Sequence, residues 1–226
     1  MIQEPPKNLV PKFFGKTATT YEQIAFWTTF GKDRLWKNEI TKQITGRDAF
    51  LDLGCGTGIL TRMLADKFPN SHIVGVDVSA NYLEVAKKNS RHYKNITYIH
   101  QDAEQLTLDD KFDCIVSSYI PKYCDAKNLT QVCMKHLKKQ GSIIFHDFTY
   151  PSNKAVRNLW NSYFVLLRGV GLFIPSWQDA FVGLPKLIKT STWLHDYERE
   201  MKNSGLDVRE FSFTWDTAAI VVGSTI

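Results

Sequence analysis

The sequence predicts an α/β protein whose seven-stranded, mostly parallel sheet carries helices on both faces. Apolar runs and helical segments alternate between residues 48 and 146, as expected for repeated strand–helix–strand units. The strand runs are almost continuously apolar, which is typical of strands buried on both faces. Two further apolar runs near the end of the chain predict a hairpin that completes the sheet.

The alternation places each element in order. The predicted strands are 48–53, 72–77, 95–100, 111–117, 142–146, 207–213 and 217–224. The helices predicted around them are 58–67, 79–91, 126–138 and 194–203. A glycine at position 205 follows the last of these helices and is expected to end it.

The remaining segments are expected to form a cap. Residues 1–12 contain three prolines and are expected to be extended or flexible, and two helices are predicted at 17–29 and 31–45. Residues 152–192 predict a helical insertion that is rich in aromatic residues and interrupted by glycine and proline. Because these segments are free to cover one edge of the sheet, their aromatics predict an apolar pocket there. Some of them are expected only to pack the cap onto the sheet.

A glycine-rich turn follows the first predicted strand. Gly54, Gly56 and Gly58 allow positive φ angles and close approach of a ligand to the backbone. Asp52 would place a carboxylate beside that ligand, which repels the pyrophosphate of a dinucleotide and attracts the cationic amine and sulfonium of S-adenosylmethionine. The glycine spacing also differs from dinucleotide-binding and Walker motifs. The turn therefore predicts an S-adenosylmethionine site.

Two more acids end the next two predicted strands. Asp77 follows Asp52 by about one βαβ unit, the spacing at which a carboxylate meets a ribose diol. Asp102 ends the third strand, where it could accept a hydrogen bond from an adenine amino group. A single acid of this kind is more often a helix cap or a solvated charge, but three in series after a glycine turn favour the cofactor site. The other candidate cofactor-binding residues at this edge are Val78, Ala103 and Ser117.

One domain in four consecutive parts is expected, because 226 residues with 43% hydrophobic residues suit a single α/β core. The parts are an N-terminal helical cap (1–46), a cofactor-binding core (47–150), a helical substrate cap (151–192) and a last helix with the closing strands (193–226).

Composition argues against several classes of protein. The net charge of +5 is modest, and no basic stripe is interleaved with aromatics as nucleic-acid binding requires. The four cysteines form no CxxC pair and no His/Cys cluster has the spacing of a metal site, so we expect no metal. Without a signal peptide or an apolar run long enough to span a bilayer, a cytoplasmic location is expected. The basic N-terminal part could also favour an anionic membrane surface.

The chain resembles the class I S-adenosylmethionine-dependent methyltransferases, which have a Rossmann-like fold. The motifs that carry this resemblance are LDLGCGTG at 51–58, VGVDVS at 74–79 and QDAEQL at 101–106. Within that class it resembles the ubiquinone/menaquinone biosynthesis C-methyltransferases (UbiE-like), on the segments FFGKTATTYE at 13–22, TTFGKDRLWK at 28–37 and HDFTYPSN at 146–153. The resemblance covers nearly the whole chain and implies that Tyr21 closes over the methionine end of the cofactor.

Two segments depart from the family pattern. After the fourth strand the family usually reads like FGLRN, whereas this chain has SYIPKYC at 118–124, without the arginine and the asparagine. The fifth strand ends in HDF at 146–148 instead of an acidic LEF-type tripeptide. Because these positions face the acceptor, its identity is open while cofactor binding is expected.

The resemblance implies methylation of a ring carbon of a quinol, of the demethylmenaquinol or ubiquinol-precursor type. Transfer from a sulfonium mainly requires alignment and exclusion of water, and a ring carbon attacks better when a base takes the proton of a neighbouring hydroxyl. His146 is the first candidate base, with Asp147 as its partner and Tyr119 or Tyr123 as a hydrogen-bonding positioner. A strand-end histidine beside an aspartate can equally be structural.

Two other functions remain open from the sequence. One is a methyltransferase for another small apolar or aromatic acceptor at oxygen, nitrogen or carbon, and the other is a non-catalytic S-adenosylmethionine-binding protein. The expected partner is a small-molecule or lipid-quinone acceptor. Residues 159–177 could contact the membrane interface, and a homodimer is one candidate assembly.

Overall fold

A computed structural model describes residues 6–44 and 48–225, and these residues form one seven-stranded sheet. Its strands are β1 (Ala49–Leu53), β2 (His72–Asp77), β3 (Ile96–His100), β4 (Phe112–Ser118), β5 (Leu137–Phe148), β6 (Asp207–Phe213) and β7 (Ala218–Ser224). They lie in the order β3-β2-β1-β4-β5-β7-β6, with β7 antiparallel to both of its neighbours. The predicted fold class and the closing hairpin are therefore confirmed.

Helices surround this sheet and extend beyond its carboxyl edge. They are α1 (Leu9–Phe14), α2 (Tyr21–Thr28), α3 (Lys32–Lys42), α4 (Ile59–Lys67), α5 (Ala80–Asn89), α6 (Ala126–His136), α7 (Lys154–Gly171), α8 (Gln178–Thr190) and α9 (Trp193–Asn203). Strand alternation divides β1 between two cores: Leu51 packs in the cluster that contains Tyr197 of α9, and Phe50 packs in the cluster that contains Leu64 of α4. Helices thus cover both faces, as the apolar strands predict.

The order in which successive strands join the sheet reverses at β1. Strands β2 and β3 lie on one side of β1, and β4 and β5 lie on the other. The loops that leave β1 and β4 therefore diverge at the carboxyl edge and open a crevice, which is where open α/β sheets bind ligands.

The cap is built from two distant parts of the chain. Phe13 of α1 packs in one cluster with Phe181 of α8, so closely that a Cβ at Gly183 would lie 2.2 Å from the Phe13 ring. The Tyr163 hydroxyl of α7 donates to the Thr28 carbonyl of α2 at 2.5 Å. The N-terminal helices and the insertion therefore form one cap over the crevice.

The prediction of an extended N-terminus is wrong for the described residues. Pro6–Asn8 form a 3-10 turn and α1 follows at once. Proline is tolerated in a first helical turn, and the packing of Phe13 stabilises the helix through a contact that the local sequence does not show. The end of the predicted helix 31–45 and the boundary at 46–47 lie outside the described residues.

One sheet boundary also differs from its prediction. Strand β5 starts at Leu137, five residues before the predicted strand, and α6 ends at His136 where a helix to 138 was expected. The pairing register between β4 and β5 shifts between Phe112 and Cys114, which indicates a β-bulge. The first residues of β5 therefore pair with β4 in a different register from the residues that follow.

Candidate functional site

A cavity of about 1150 Å³ lies between the carboxyl edge of the sheet and the cap. One end is lined by residues after β1 and β2, namely Gly54, Gly56, Asp77, Val78 and Ser79. The other end is lined mostly by aromatics of the cap and of the β4 and β5 ends, among them Trp36, Tyr119, Phe148, Trp160, Tyr163, Phe164 and Trp177. A single continuous space can therefore hold two ligands next to each other.

The glycine turn has the close packing that its sequence predicts. Gly54 has φ 66°, and a Cβ there would lie 2.4 Å from Ile120, in the wall of the cavity. Gly58 has φ 81°, and a Cβ there would lie 2.3 Å from the Tyr98 hydroxyl, away from the cavity. Both glycines therefore serve the packing of the turn, Gly54 against Ile120 and Gly58 against Tyr98.

Asp77 lies in the cavity wall with both carboxylate oxygens held by backbone. The Gly56 amide donates to Oδ2 and the Ser79 amide donates to Oδ1, each at 2.8 Å. Burial raises the pKa of this carboxyl, and the two backbone hydrogen bonds oppose that shift. Each oxygen keeps a lone pair, so the carboxylate is oriented to accept hydrogen bonds from hydroxyls of a bound ligand. These two acceptor oxygens fit the ribose diol of S-adenosylmethionine.

Asp52 does not line the cavity. It is buried beneath the turn, where the Thr61 hydroxyl of α4 donates to its Oδ2 at 2.6 Å. Burial raises its pKa to about 7. The expectation that this carboxylate lies beside the ligand is wrong, because Asp52 points to the same face as Phe50, toward α4.

Three more predicted cofactor residues lie behind the wall of the cavity. The Lys7 ammonium forms an ion pair with Asp102, whose Oδ1 also accepts from the Glu104 amide at 3.0 Å. Ala103 is buried in the sheet core, and the Ser117 hydroxyl donates to the Leu53 carbonyl at 2.8 Å. Asp102 was expected to accept a hydrogen bond from the adenine, but its carboxylate is already paired with the Lys7 ammonium and does not line the cavity.

Tyr21 lines the cavity between the two ends. Its ring stacks on Trp177 at a centroid distance of 6.0 Å and meets the edge of Tyr82 at 5.4 Å. Both neighbours also line the cavity, so Tyr21 is held by aromatic contacts from the insertion and from α5.

His146 and Asp147 do not form the predicted pair. Adjacent strand residues point to opposite faces, and both residues are fully buried without lining the cavity. The His146 Nδ1 shares a hydrogen bond with the Ser118 hydroxyl at 2.9 Å, and its Nε2 has no partner among the described residues. Burial and the nearby ammonium groups of Lys37 and Lys122 lower the pKa of His146 well below its usual value. The ring is a neutral, weak base behind the cavity.

Asp147 is instead bonded to a lysine that the sequence reasoning did not single out. The Lys122 ammonium donates to Asp147 Oδ1 at 2.6 Å and to the Tyr119 carbonyl at 2.7 Å. Both side chains are almost completely buried, with exposures of 1% and 0%. Burial lowers the pKa of Lys122 and raises that of Asp147, and their mutual attraction opposes both shifts.

Tyr119 connects the end of β4 to α3. Its hydroxyl donates to Asp33 Oδ1 at 2.8 Å, and its ring stacks on Phe148 at 4.7 Å. The Lys37 ammonium is bonded to the same Asp33 oxygen and lies 4.5 Å from the centre of the Tyr119 ring. Asp33 and Lys37 were missed, although their four-residue spacing in the predicted helix was a visible signal of a pair.

Similarity to known proteins agrees with this geometry. Residues 50–141 match the methyltransferase domain family. The chain is 30% identical to the ubiquinone/menaquinone biosynthesis C-methyltransferase UbiE of Citrifermentans bemidjiense, over 93% of this chain and 94% of that protein. This chain belongs to the UbiE-like family of class I S-adenosylmethionine-dependent methyltransferases.

Two other proteins similar to this methyltransferase act on other acceptors, as their names state. Malonyl-[acyl-carrier protein] O-methyltransferase of Priestia megaterium is 31% identical over 74% of this chain, which spans only 60% of that relative's length. Geranyl diphosphate C-methyltransferase of Streptomyces coelicolor, solved with S-adenosyl-L-homocysteine, superposes with a TM-score of 0.64 at 13% identity, covering 85% of this chain and 76% of that one. The superposition establishes the shared fold, and S-adenosylmethionine is the methyl donor of the family.

The buried acid under the glycine turn predicts a pH-dependent stability of this methyltransferase. The pKa of Asp52 is about 7 in the fold and about 3.8 in an exposed carboxyl, so the unfolded chain loses this proton first and stability falls as the pH rises between these values. We expect Asp52→Asn to gain a few kcal/mol of unfolding free energy relative to the wild type between pH 4 and 7, at about 1.4 kcal/mol per pKa unit. Urea unfolding at several pH values measures the free energy of unfolding of both proteins. A difference between them that stays constant with pH would contradict the raised pKa of Asp52.

Proposed function

We propose that this methyltransferase transfers the methyl group of S-adenosylmethionine to a ring carbon of a quinol. The observation that carries the proposal is the composition of the acceptor end of the cavity, which is built mostly from aromatic rings and whose buried cations already have partners. Lys32 also lines the cavity but is exposed to solvent. Lys122 lies in that wall but is paired with Asp147, and Lys37 is paired with Asp33 behind it. This wall fits an uncharged aromatic ring better than an anion.

The residues at the other end of the cavity support binding of S-adenosylmethionine there. We propose that Asp77 holds the ribose, that Gly54 and Gly56 admit the cofactor close to the backbone, and that Val78 packs against the adenine. Tyr21 closes the methionine end from the cap. When bound, S-adenosylmethionine supplies an electrophilic methyl group on a good leaving group. The chain then has to orient the acceptor and exclude water, which the cap does by covering the crevice.

The malonyl-[acyl-carrier protein] relatives make a carboxylate acceptor the second candidate function. A carboxylate in this cavity would need a cation that is free to pair with it. Lys122 is poorly suited to that role, since it is committed to Asp147 and has its pKa lowered by burial. Lys32, the other lysine in the lining, is exposed, where water weakens an ion pair. The non-catalytic alternative is disfavoured by the same cavity, which joins the cofactor wall to an acceptor wall without a barrier.

The test of the acceptor class is a panel assay. The purified protein is incubated with S-adenosylmethionine and, separately, reduced demethylmenaquinol, a catechol, a simple amine and a malonyl thioester, and each acceptor is weighed by mass spectrometry. We expect a gain of one methyl group on the quinol. Gain on the malonyl thioester alone would favour the second candidate, and S-adenosylmethionine binding without any gain would favour the non-catalytic alternative.

The mouth of the cavity supports a lipid-borne acceptor. Phe30, Leu159 and Trp215 line the cavity and are 78%, 62% and 71% exposed, and they come from three separate elements of the chain. Exposed apolar side chains around an opening are typical of a surface that meets a membrane. We propose that these three residues, the apolar rim, touch the bilayer while the quinol enters. In the described part of the chain, no helix has the length and apolarity needed to cross a membrane.

Removing the apolar rim should weaken vesicle binding. We expect the triple variant Phe30→Ser, Leu159→Ser, Trp215→Ser to lose at least about tenfold in binding to quinone-containing anionic vesicles, since each buried apolar side chain contributes on the order of 1.5 to 3 kcal/mol. Flotation measures it, with Leu35→Ser as the control because Leu35 is exposed but outside the cavity lining. Absence of flotation of the wild type would contradict the bilayer contact. The homodimer and the cytoplasmic location stay predictions.

A further inference from the structure

A buried carboxylate lies within one hydrogen bond of the acceptor end of the cavity. Asp33 is 6% exposed, and its Oδ1 accepts a hydrogen bond from the Tyr119 hydroxyl at 2.8 Å. Lys37 donates to the same oxygen and is 4% exposed. Tyr119 itself lines the cavity, so its phenol is the link between the acceptor space and the Asp33 carboxylate.

Tyr119 has a backbone conformation that is unfavourable for a residue with a side chain. Its φ is 74°, a left-handed conformation that a bulky residue rarely adopts and that costs on the order of 1 to 3 kcal/mol. The ring is clamped between the face of Phe148 and the Lys37 ammonium, and its carbonyl accepts from Lys122 at 2.7 Å. Strain that several contacts hold in place at a cavity wall is typical of a functional residue.

We propose that Tyr119 and Asp33 form the proton relay that ionises the acceptor hydroxyl, with Asp33 acting through Tyr119. The inference rests on the proposed quinol methylation. The Tyr119 oxygen donates its own proton to Asp33 and keeps lone pairs that can accept one from a hydroxyl in the cavity. The Lys37 ammonium forms a buried ion pair with Asp33. This pair takes the role for which the sequence suggested His146, which is neutral and behind the wall.

The relay balances without any further reactant. The acceptor hydroxyl gives its proton to the Tyr119 oxygen as the Tyr119 proton passes to Asp33. The ring carbon ortho to the ionised acceptor hydroxyl then forms the new C–C bond to the methyl group as the S–C bond breaks. The proton on the methylated ring carbon leaves to water, and the ring oxygen regains its proton from Asp33 through Tyr119. Burial and the Asp33 charge raise the pKa of Tyr119, so it stays protonated between turnovers.

A purely structural role for these residues would tie α3 to the sheet and would lower activity toward every acceptor alike. A proton relay has a different signature, because a base matters only for a hydroxyl that is not already ionised. The two roles therefore separate when methyl transfer is compared between acceptors of different hydroxyl acidity.

The experiment compares Tyr119→Phe with the wild type on two phenolic acceptors of similar size, one with a hydroxyl pKa well above the assay pH and one well below it. We expect kcat for the weakly acidic acceptor to fall by about 10²- to 10⁴-fold and kcat for the ionised acceptor to fall by less than about tenfold. Tyr197→Phe is the control, since Tyr197 is a fully buried tyrosine outside the cavity lining.

A second variant tests the relay without leaving an unpaired charge in the core, which could itself disturb folding. Asp33→Asn with Lys37→Met removes the carboxylate and its counter-ion together, so no unpaired buried charge remains, and it should show the same dependence on acceptor acidity. Equal losses on both acceptors in both variants would overturn the relay while leaving quinol methylation intact. If the wild type methylates neither phenol although it methylates a malonyl thioester, the proposed function itself fails and the relay fails with it.

Discussion

Replacing Lys122 with methionine should lower the free energy of unfolding by about 3 to 5 kcal/mol. The substitution keeps the length of the side chain but leaves the fully buried Asp147 carboxylate without its cation. The loss should shrink as the pH falls, because burial already raises the pKa of Asp147 and a protonated carboxyl no longer needs the ammonium. Urea unfolding followed by circular dichroism measures it.

Two further variants isolate the ion pair. The double variant Lys122→Met with Asp147→Asn should recover part of the loss, since no unpaired buried charge remains. Recovery is incomplete because the backbone amides of residues 122 and 148 donate to separate oxygens of Asp147, and asparagine keeps only one acceptor oxygen. Lys127→Met, on the exposed side of α6, should change the stability by less than about 0.5 kcal/mol. A single variant as stable as the wild type at neutral pH would contradict the buried pair.

Replacing Asp77 with alanine should weaken S-adenosylmethionine binding by about 1 to 3 kcal/mol, which is roughly a 5- to 150-fold rise in Kd. Two effects combine: the hydrogen bonds proposed to the ribose are lost, and the Gly56 and Ser79 amides lose the carboxylate that orients the turn. Isothermal titration calorimetry with S-adenosylmethionine and with S-adenosylhomocysteine measures the change. Both ligands carry the ribose, so both should weaken alike.

The matched control for Asp77 is Asp110→Ala, an exposed acid in the loop before β4. It should leave the Kd unchanged within error. A variant Asp77→Asn, which keeps one acceptor oxygen, should fall between alanine and the wild type. An Asp77→Ala protein that binds S-adenosylmethionine as tightly as the wild type would remove Asp77 from the cofactor site.

The sheet and the cofactor turn could be predicted because their signals are local. A strand buried on both faces needs a nearly continuous apolar run, and the turn after β1 needs glycine where Gly54 faces Ile120 at close range. The position of Asp77 in the cavity wall was predictable for the same reason, since it is the last residue of β2, while its role toward the cofactor stays a proposal. Strand alternation alone, if applied to Asp52, would have placed that side chain under the turn with Phe50.

The acceptor end could not be predicted because its contacts join residues far apart in the sequence. The bond from Tyr119 to Asp33 spans 86 residues, and the bond from Lys122 to Asp147 spans 25. Both depend on how β4, β5 and α3 meet, which no local pattern encodes. The short helix α1 is a similar case, since its first turn contains proline and its stability depends on the packing of Phe13 against α8.

The position of the transferred methyl group on the product tests directly whether this enzyme methylates a ring carbon of a quinol. The enzyme is incubated with S-adenosylmethionine that carries a trideuterated methyl group and with reduced demethylmenaquinol, and the product is examined by tandem mass spectrometry and proton NMR. We expect the trideuterated methyl group on a ring carbon of the quinol, with the ring proton at that carbon lost. A label on a hydroxyl oxygen, or a quinol that stays unlabelled while a malonyl thioester supplied in a parallel incubation becomes labelled, would contradict methylation of a quinol ring carbon.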